Sequence, residues 1–209
     1  MKAHIYKLNK LLENLRAKYN IPEYVINEIK NSLKWASRPE CSEVIFEILK
    51  RFDIKLDECG LKIIKLECLR HSYMPSKIDF LFIGESPPKS SFFYDSHDKK
   101  NKNILSNIMK TVFTNVFNKK FDSKAEFLDF FKDKNCYLED LFITPGKKIK
   151  GAPKSELNTA IEDLSEFLNI LDPKPKAIAI IGKKVWLPAS LSLIHISEPT
   201  RPLYISYAV

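Results

Sequence analysis

Residues 78–84 read Ile-Asp-Phe-Leu-Phe-Ile-Gly, an apolar run that stops at a glycine and leads into Glu85-Ser86-Pro87-Pro88. A strand with one wet face alternates polar and apolar residues, whereas a strand covered on both faces loses the alternation and reads as a short continuous apolar run. Two more runs have this character: Cys-Tyr-Leu-Glu-Asp-Leu-Phe-Ile-Thr-Pro-Gly at 136–146 and Lys-Ala-Ile-Ala-Ile-Ile-Gly at 176–182. Helical periodicity fills the intervals, at 104–117, 124–131 and 155–171. The last of these puts Leu157, Ala160, Ile161, Leu164, Leu168 and Leu171 on one stripe. Strands alternating with helices predict right-handed crossovers and a parallel sheet with helices on both faces. The expectation is a three-layer α/β domain over 76–190.

Upstream, residues 1–75 read as a helical segment. Val25, Ile29, Leu33 and Ala36 share one face of the stretch opened by Pro22, and 41–52 repeats the spacing. Leu-Lys-Ile-Ile-Lys-Leu-Glu-Cys-Leu at 61–69 fits a strand or a helix equally well. No internal repeat or low-complexity tract interrupts the chain.

Downstream, 191–209 (LSLIHISEPTRPLYISYAV) resembles the in-frame translation of a transposase-type sequencing adapter, with Pro202–Tyr204 as the index-dependent residues. The segment is therefore set apart from the fold as an artefact tail. His195 is accordingly not a catalytic candidate, and the domain is expected to lack its last strand.

The 209 residues carry a formal net charge of +8, with 44% hydrophobic and 11% aromatic content. That is enough apolar material for a sizeable core, and it excludes a disordered tail, a collagen-like fibre and a disulfide miniprotein. No stretch reaches the roughly 18 apolar residues of a membrane span, and the Lys-rich amphipathic start is unlike a signal peptide. A soluble, cytoplasmic monomer without membrane contact is expected. Cys41, Cys59, Cys68 and Cys136 form no C-x-x-C pair and have no histidines at metal spacing, so four reduced, mostly buried thiols are expected and no metal site.

Ligands of open parallel sheets bind beyond the carboxyl ends of the strands. The three loops there carry Lys89, Lys99 and Lys100; Lys147, Lys148, Lys150 and Lys154; and Lys183 and Lys184. A basic rim with Phe92, Phe93 and Tyr94 inside it suits a phosphate backbone outside and a stacked base within. Glycine-rich phosphate loops of the Walker or dinucleotide type are not found, which argues against nucleoside-triphosphate hydrolysis.

Gly84-Glu85-Ser86-Pro87-Pro88 after an apolar strand resembles the first motif of the uracil-DNA glycosylase superfamily (G-E-A-P-G and relatives). Phe92-Phe93-Tyr94 falls where that family places its base-stacking aromatic. Tyr137-Leu138-Glu139-Asp140 is similar to the family's Y-x-x-N strand, and 176–184 to its PKAIIALGK strand. The resemblance covers 76–188. It implies hydrolysis of the N-glycosidic bond of uracil or another damaged base flipped out of DNA, by a monofunctional enzyme without cofactor. Glu85 would orient water or stabilise the oxocarbenium-like sugar. Backbone amides around Ser86 would position base and sugar, Phe93 or Phe92 would stack, and Lys89, Lys147, Lys148, Lys183 and Lys184 would touch phosphates.

This chain has Asp140 where the family reads the base with Asn. An ionised Asp accepts but does not donate, so Asp140 is structural, or protonated, or faces a base that offers amino donors. The clustered cysteines of the iron–sulfur branch do not occur. The family's late His-Pro-Ser motif would follow a fourth strand, where the tail now stands, and the chain as it is should therefore be inactive. His97 lies near the aromatic run, where a loop histidine ordinarily faces solvent. The alternatives are a non-catalytic nucleic-acid-binding domain on the same fold and an enzyme acting on a small phosphorylated ligand.

Overall fold

A computed structural model describes residues 2–33, 41–97, 103–182, 184–185, 188 and the strand 203–205. The chain divides into two compact units, 1–72 and 73–209.

The first unit holds helices α1 (Lys2–Tyr19), α2 (Glu23–Leu33), α3 (Cys41–Arg51) and α4 (Glu58–Ser72). Each buries one stripe, including Leu11, Leu12 and Leu15 of α1, Val25, Ile26 and Ile29 of α2, Ile45 and Ile48 of α3, and Ile63 and Ile64 of α4. The ambiguous 61–69 stretch is helical, inside α4. Asp57 starts that helix: its Oδ1 accepts from the Gly60 amide at 2.7 Å and from the Tyr19 hydroxyl, occupying one of the donors that a helix N-terminus leaves unpaired.

The second unit is built on β1 (Phe80–Gly84), β2 (Cys136–Asp140) and β3 (Ala177–Ile181), all parallel, with β1 in the centre. Helices α5 (Ile104–Phe117) and α6 (Lys124–Asp133) join β1 to β2, and α7 (Lys154–Ile170) joins β2 to β3. Side chains alternate across a strand, so the register Leu81↔Tyr137 and Phe82↔Leu138 puts each pair on its own face. Phe82 meets Phe131 of α6 and Tyr137 meets Phe167 of α7. The sheet therefore has a helix layer on each face, three layers in all. Asn103 caps α5 through its Oδ1, which accepts from Ser106 N at 2.7 Å, and Ser123 caps α6 by accepting from Glu126 N at 3.0 Å.

The expected loss of the last strand meets one difference. Leu203–Ile205, within the segment that resembles adapter, pairs in parallel with β3 as β4, and the strand order is β2-β1-β3-β4. The outer edge of β3 presents unpaired N–H and C=O groups, and Leu-Tyr-Ile has the β-propensity to satisfy them. Among the described residues no helix is long and apolar enough to cross a membrane.

Asp79 ties the amino ends of the strands together. Its carbonyl accepts from Lys176 N, and its carboxylate from Lys77 Nζ at 2.9 Å, Asn135 Nδ2 at 3.0 Å and Lys176 Nζ at 3.4 Å. The Lys77 ammonium first, then the Asn135 amide, hold this carboxyl below its ordinary value. A depressed carboxyl contributes stability above the unfolded-state pKa of about 4, and the contribution is lost as pH falls through the lower folded-state value. Asp79→Asn should therefore destabilise the chain at neutral pH and lose less on acidification below about pH 4 than the parent does. Denaturant midpoints across pH test this, and parallel profiles for the two proteins would contradict it.

Candidate strand-end site

The connection from β1 runs to β2 on one side, while β3 lies on the other and continues to β4 beyond it. The strands that follow β1 and β3 thus lie on opposite sides, which is the arrangement that marks a topological switch point in open parallel sheets. Glu85 is the first residue after β1 and stands at that point.

The loop after β2 folds back over the loop after β1 and is stitched to it along the backbone. Leu141 N donates to Gly84 O, Phe142 N to Glu85 O, and Gly146 N to Pro87 O at 2.7 Å. The Ser86 hydroxyl adds a bond to Lys147 O at 2.7 Å. The Glu85 carboxylate is held at both oxygens: Oε1 accepts from Ile149 N at 2.9 Å and Oε2 from Lys148 Nζ at 3.2 Å. Its side chain is 19% exposed, against 65% for Lys148. The carboxylate is therefore oriented from one side, and each oxygen keeps lone-pair capacity for a ligand in the crevice.

Gly146 makes the fold-back possible. It sits at φ +72°, in the left-handed region, and a Cβ there would meet Lys89 Cγ at 2.5 Å. Gly146→Ala should cost about 1–2 kcal/mol through backbone strain and displacement of the Lys89 stem. Urea denaturation measures this, and a loss within error of zero would show that the turn relaxes freely.

The lysines expected to form one rim have different situations. Lys148 pairs with Glu85, and Lys147 with Glu156 of α7 at 2.6 Å. The Lys89 stem covers Gly146, and Lys150, Lys154 and Lys184 are exposed. Lys99, Lys100 and Lys183 lie outside the described residues, as does His195. His97 is exposed in the loop, where its amide donates to Asp95 Oδ1.

Phe92, Phe93 and Tyr94 are packed in the interior, 4%, 2% and 0% exposed. Phe93 makes edge contacts with Tyr94, Phe127 and Phe131, and Tyr94 stacks on Tyr73 at 5.7 Å. The buried Lys124 ammonium donates to Phe92 O at 2.8 Å and anchors the run to α6. The Tyr94 hydroxyl accepts from Leu138 N at 2.6 Å and donates to Leu138 O at 3.1 Å. Because β2 ends the strand order, these are the outward-facing groups of an edge strand, and the hydroxyl closes that edge.

Asp140 is also buried, paired in register with Gly84, and its Oδ1 packs where a Cβ on Gly84 would stand. Its amide donates to Glu139 Oε1 at 3.1 Å, and Glu139 is 1% exposed. Asp140 therefore shares the Gly84 strand end with Glu85. The Ile149 amide, Gly146 and Lys124 are the site and support groups that sequence reading missed. The Pro145-Gly146 pair was the only local signal among them. Among the described residues no group of three or more His, Cys, Asp or Glu side chains is placed to hold a metal ion.

Comparison with family models, with curated proteins and with solved structures gives no match to this chain.

Proposed function

We propose that the chain is a DNA base-excision glycosylase of the uracil-DNA glycosylase type, with Glu85 as its catalytic residue. The observation that carries this reading is the Glu85 carboxylate just past the carboxyl end of the central strand β1, fixed by Ile149 N–H and Lys148. Breaking an N-glycosidic bond builds positive charge on the sugar, and an oriented carboxylate stabilises that charge or aligns the attacking water. Lys148 acts through Glu85 and is a positioning residue. Exposed Lys150, Lys154 and Lys184 supply the phosphate contacts of a DNA backbone. With Asp140 at the strand end, a base that presents amino donors fits better than uracil, whose carbonyl would face a carboxylate.

The test is release of free base from a panel of duplexes bearing uracil and amino-substituted lesions. It uses this chain and the chain encoded when the source DNA is read across the Ser190 junction. Release from either chain supports the reading, and no release from any lesion by either chain overturns it. A second reading, nucleic-acid binding without turnover, is favoured by the burial of Phe92, Phe93 and Tyr94, which leaves no ring of that run on the surface to stack a flipped base. Salt-dependent DNA binding with no base release would select it.

A further inference from the structure

In the helical unit, α3 opens on Cys41 and packs on α4, which carries Cys68. Both side chains are buried, 9% and 5% exposed, and the Cys68 thiol points at Cys41 Sγ across 2.6 Å. Non-bonded carbon atoms rest about 3.5–4.0 Å apart, and sulfur is the larger atom. The two sulfurs are therefore aimed at each other inside ordinary contact distance, a short movement from the roughly 2.05 Å of a disulfide. We propose that Cys41 and Cys68 are a redox pair that closes to a disulfide joining the start of α3 to α4.

The other two cysteines do not compete. Cys59 lies about two and a half turns before Cys68 on α4, which puts it on the opposite face of the helix. Cys136 belongs to β2, with its thiol against Lys134 O at 3.6 Å. Burial pushes that thiol up to about 12, so it is a poor nucleophile.

The oxidant is a small disulfide such as oxidised glutathione. One cysteine thiolate attacks a glutathione sulfur, forming a mixed disulfide and expelling one glutathione thiolate. The second cysteine thiolate then attacks the protein sulfur of that mixed disulfide and expels the other glutathione. Two protein S–H bonds are lost and one protein S–S bond is gained. One glutathione S–S bond is broken, and the two protons end on the two glutathione thiols. The Cys41 thiol and burial both raise the Cys68 thiol, so the thiolate is scarce while the helices are packed, and the reaction runs as the unit folds or opens. Once formed, the bond closes a segment spanning a sequence separation of 27 and restricts the unfolded chain. It joins two helices of the first unit and depends on nothing in the strand-end cleft.

The full chain, reduced and unfolded, is refolded in glutathione buffers from fully reducing to fully oxidising. It is then alkylated under denaturing conditions and mapped by peptide mass spectrometry. In oxidising buffer two of the four thiols are expected to resist alkylation, in a linked pair of peptides carrying Cys41 and Cys68. The melting temperature should rise by about 10 °C or more over the reduced form. Cys41→Ser and Cys68→Ser should each abolish the link and the shift, while Cys59→Ser keeps both. Four alkylated thiols in every buffer, a link through Cys59 or Cys136, or glutathione adducts without a link would overturn the proposal. The map of the unsubstituted chain decides even if a serine variant does not fold.

Discussion

Glu85→Gln is expected to lower base release by about 10²–10³-fold, the range lost when a single preorganised electrostatic contact to a developing charge is removed. The measurement is single-turnover base release by the chain that turns over in the lesion panel. Gln is isosteric, so its carbonyl still accepts from Ile149 N–H, and the loop after β2 stays folded over the loop after β1. Its amide NH2, however, meets the Lys148 ammonium donor to donor, so the ion pair is lost. The crevice loses a negative charge and frees a positive one, and DNA affinity should hold or rise, with a steeper salt dependence. A slower chemical step with unchanged or tighter binding is the signature of a group that acts on the transition state. A residual rate within tenfold of the parent would remove Glu85 from the catalytic role. A parallel loss of binding would place it in the scaffold.

Lys148→Met separates positioning from charge. It leaves the Ile149 amide on Oε1 and removes the contact to Oε2. A positioning role predicts a smaller rate loss than Glu85→Gln, together with weakened DNA binding, because the exposed ammonium also faces the approaching phosphates. An unaltered rate would leave Lys148 as a surface cation alone.

The core strands were legible because burial on both faces writes itself as an uninterrupted apolar run, and β1, β2 and β3 fall inside the three runs read from the sequence. Helix α4 was ambiguous for the same reason in reverse. Gly60, Ile63, Ile64, Leu66, Glu67, Cys68 and Arg70 are all buried, so its apolar stripe is too broad to show a clean period. The position of Glu85 could be read from strand-end topology, but its partners could not. Ile149 and Lys148 lie 64 and 63 residues away and meet it only because a turn at Gly146 brings one loop over the other. Phe92-Phe93-Tyr94 reads from the sequence as base-stacking aromatics inside a basic rim because it lies in the lysine-bearing loop after β1. The rings that enclose it come from Tyr73, Phe127, Phe131 and Tyr137, none of which a local window contains. The cysteine pair was hidden in the same way, since its spacing matches no motif and only the packing of α3 on α4 brings the sulfurs together.

Tyr94→Phe is expected to destabilise the chain by about 2–4 kcal/mol, because two buried backbone groups lose their partner at once. The ring contributes little to the change, since Phe keeps the contacts to Phe92, Phe93, Tyr73 and Tyr137. What goes is the hydroxyl that serves Leu138 N–H and C=O on the outer edge of β2, where no further strand pairs among the described residues. The denaturant midpoint should fall with an unchanged slope, and the Leu138 amide should exchange faster than its neighbours in β2. A loss below about 0.5 kcal/mol would mean that water reaches this edge and takes the place of the hydroxyl. Tyr94→Phe keeps the ring, so both readings of the aromatic run predict a change in stability alone, and a substitution at Phe93 is needed to discriminate them. If the run is wholly core, Phe93→Leu should lower stability without altering the ratio of affinities for lesion and undamaged DNA. A stable Phe93→Leu chain that had lost lesion preference would return Phe93 to the base pocket and require the loop carrying it to open when DNA binds.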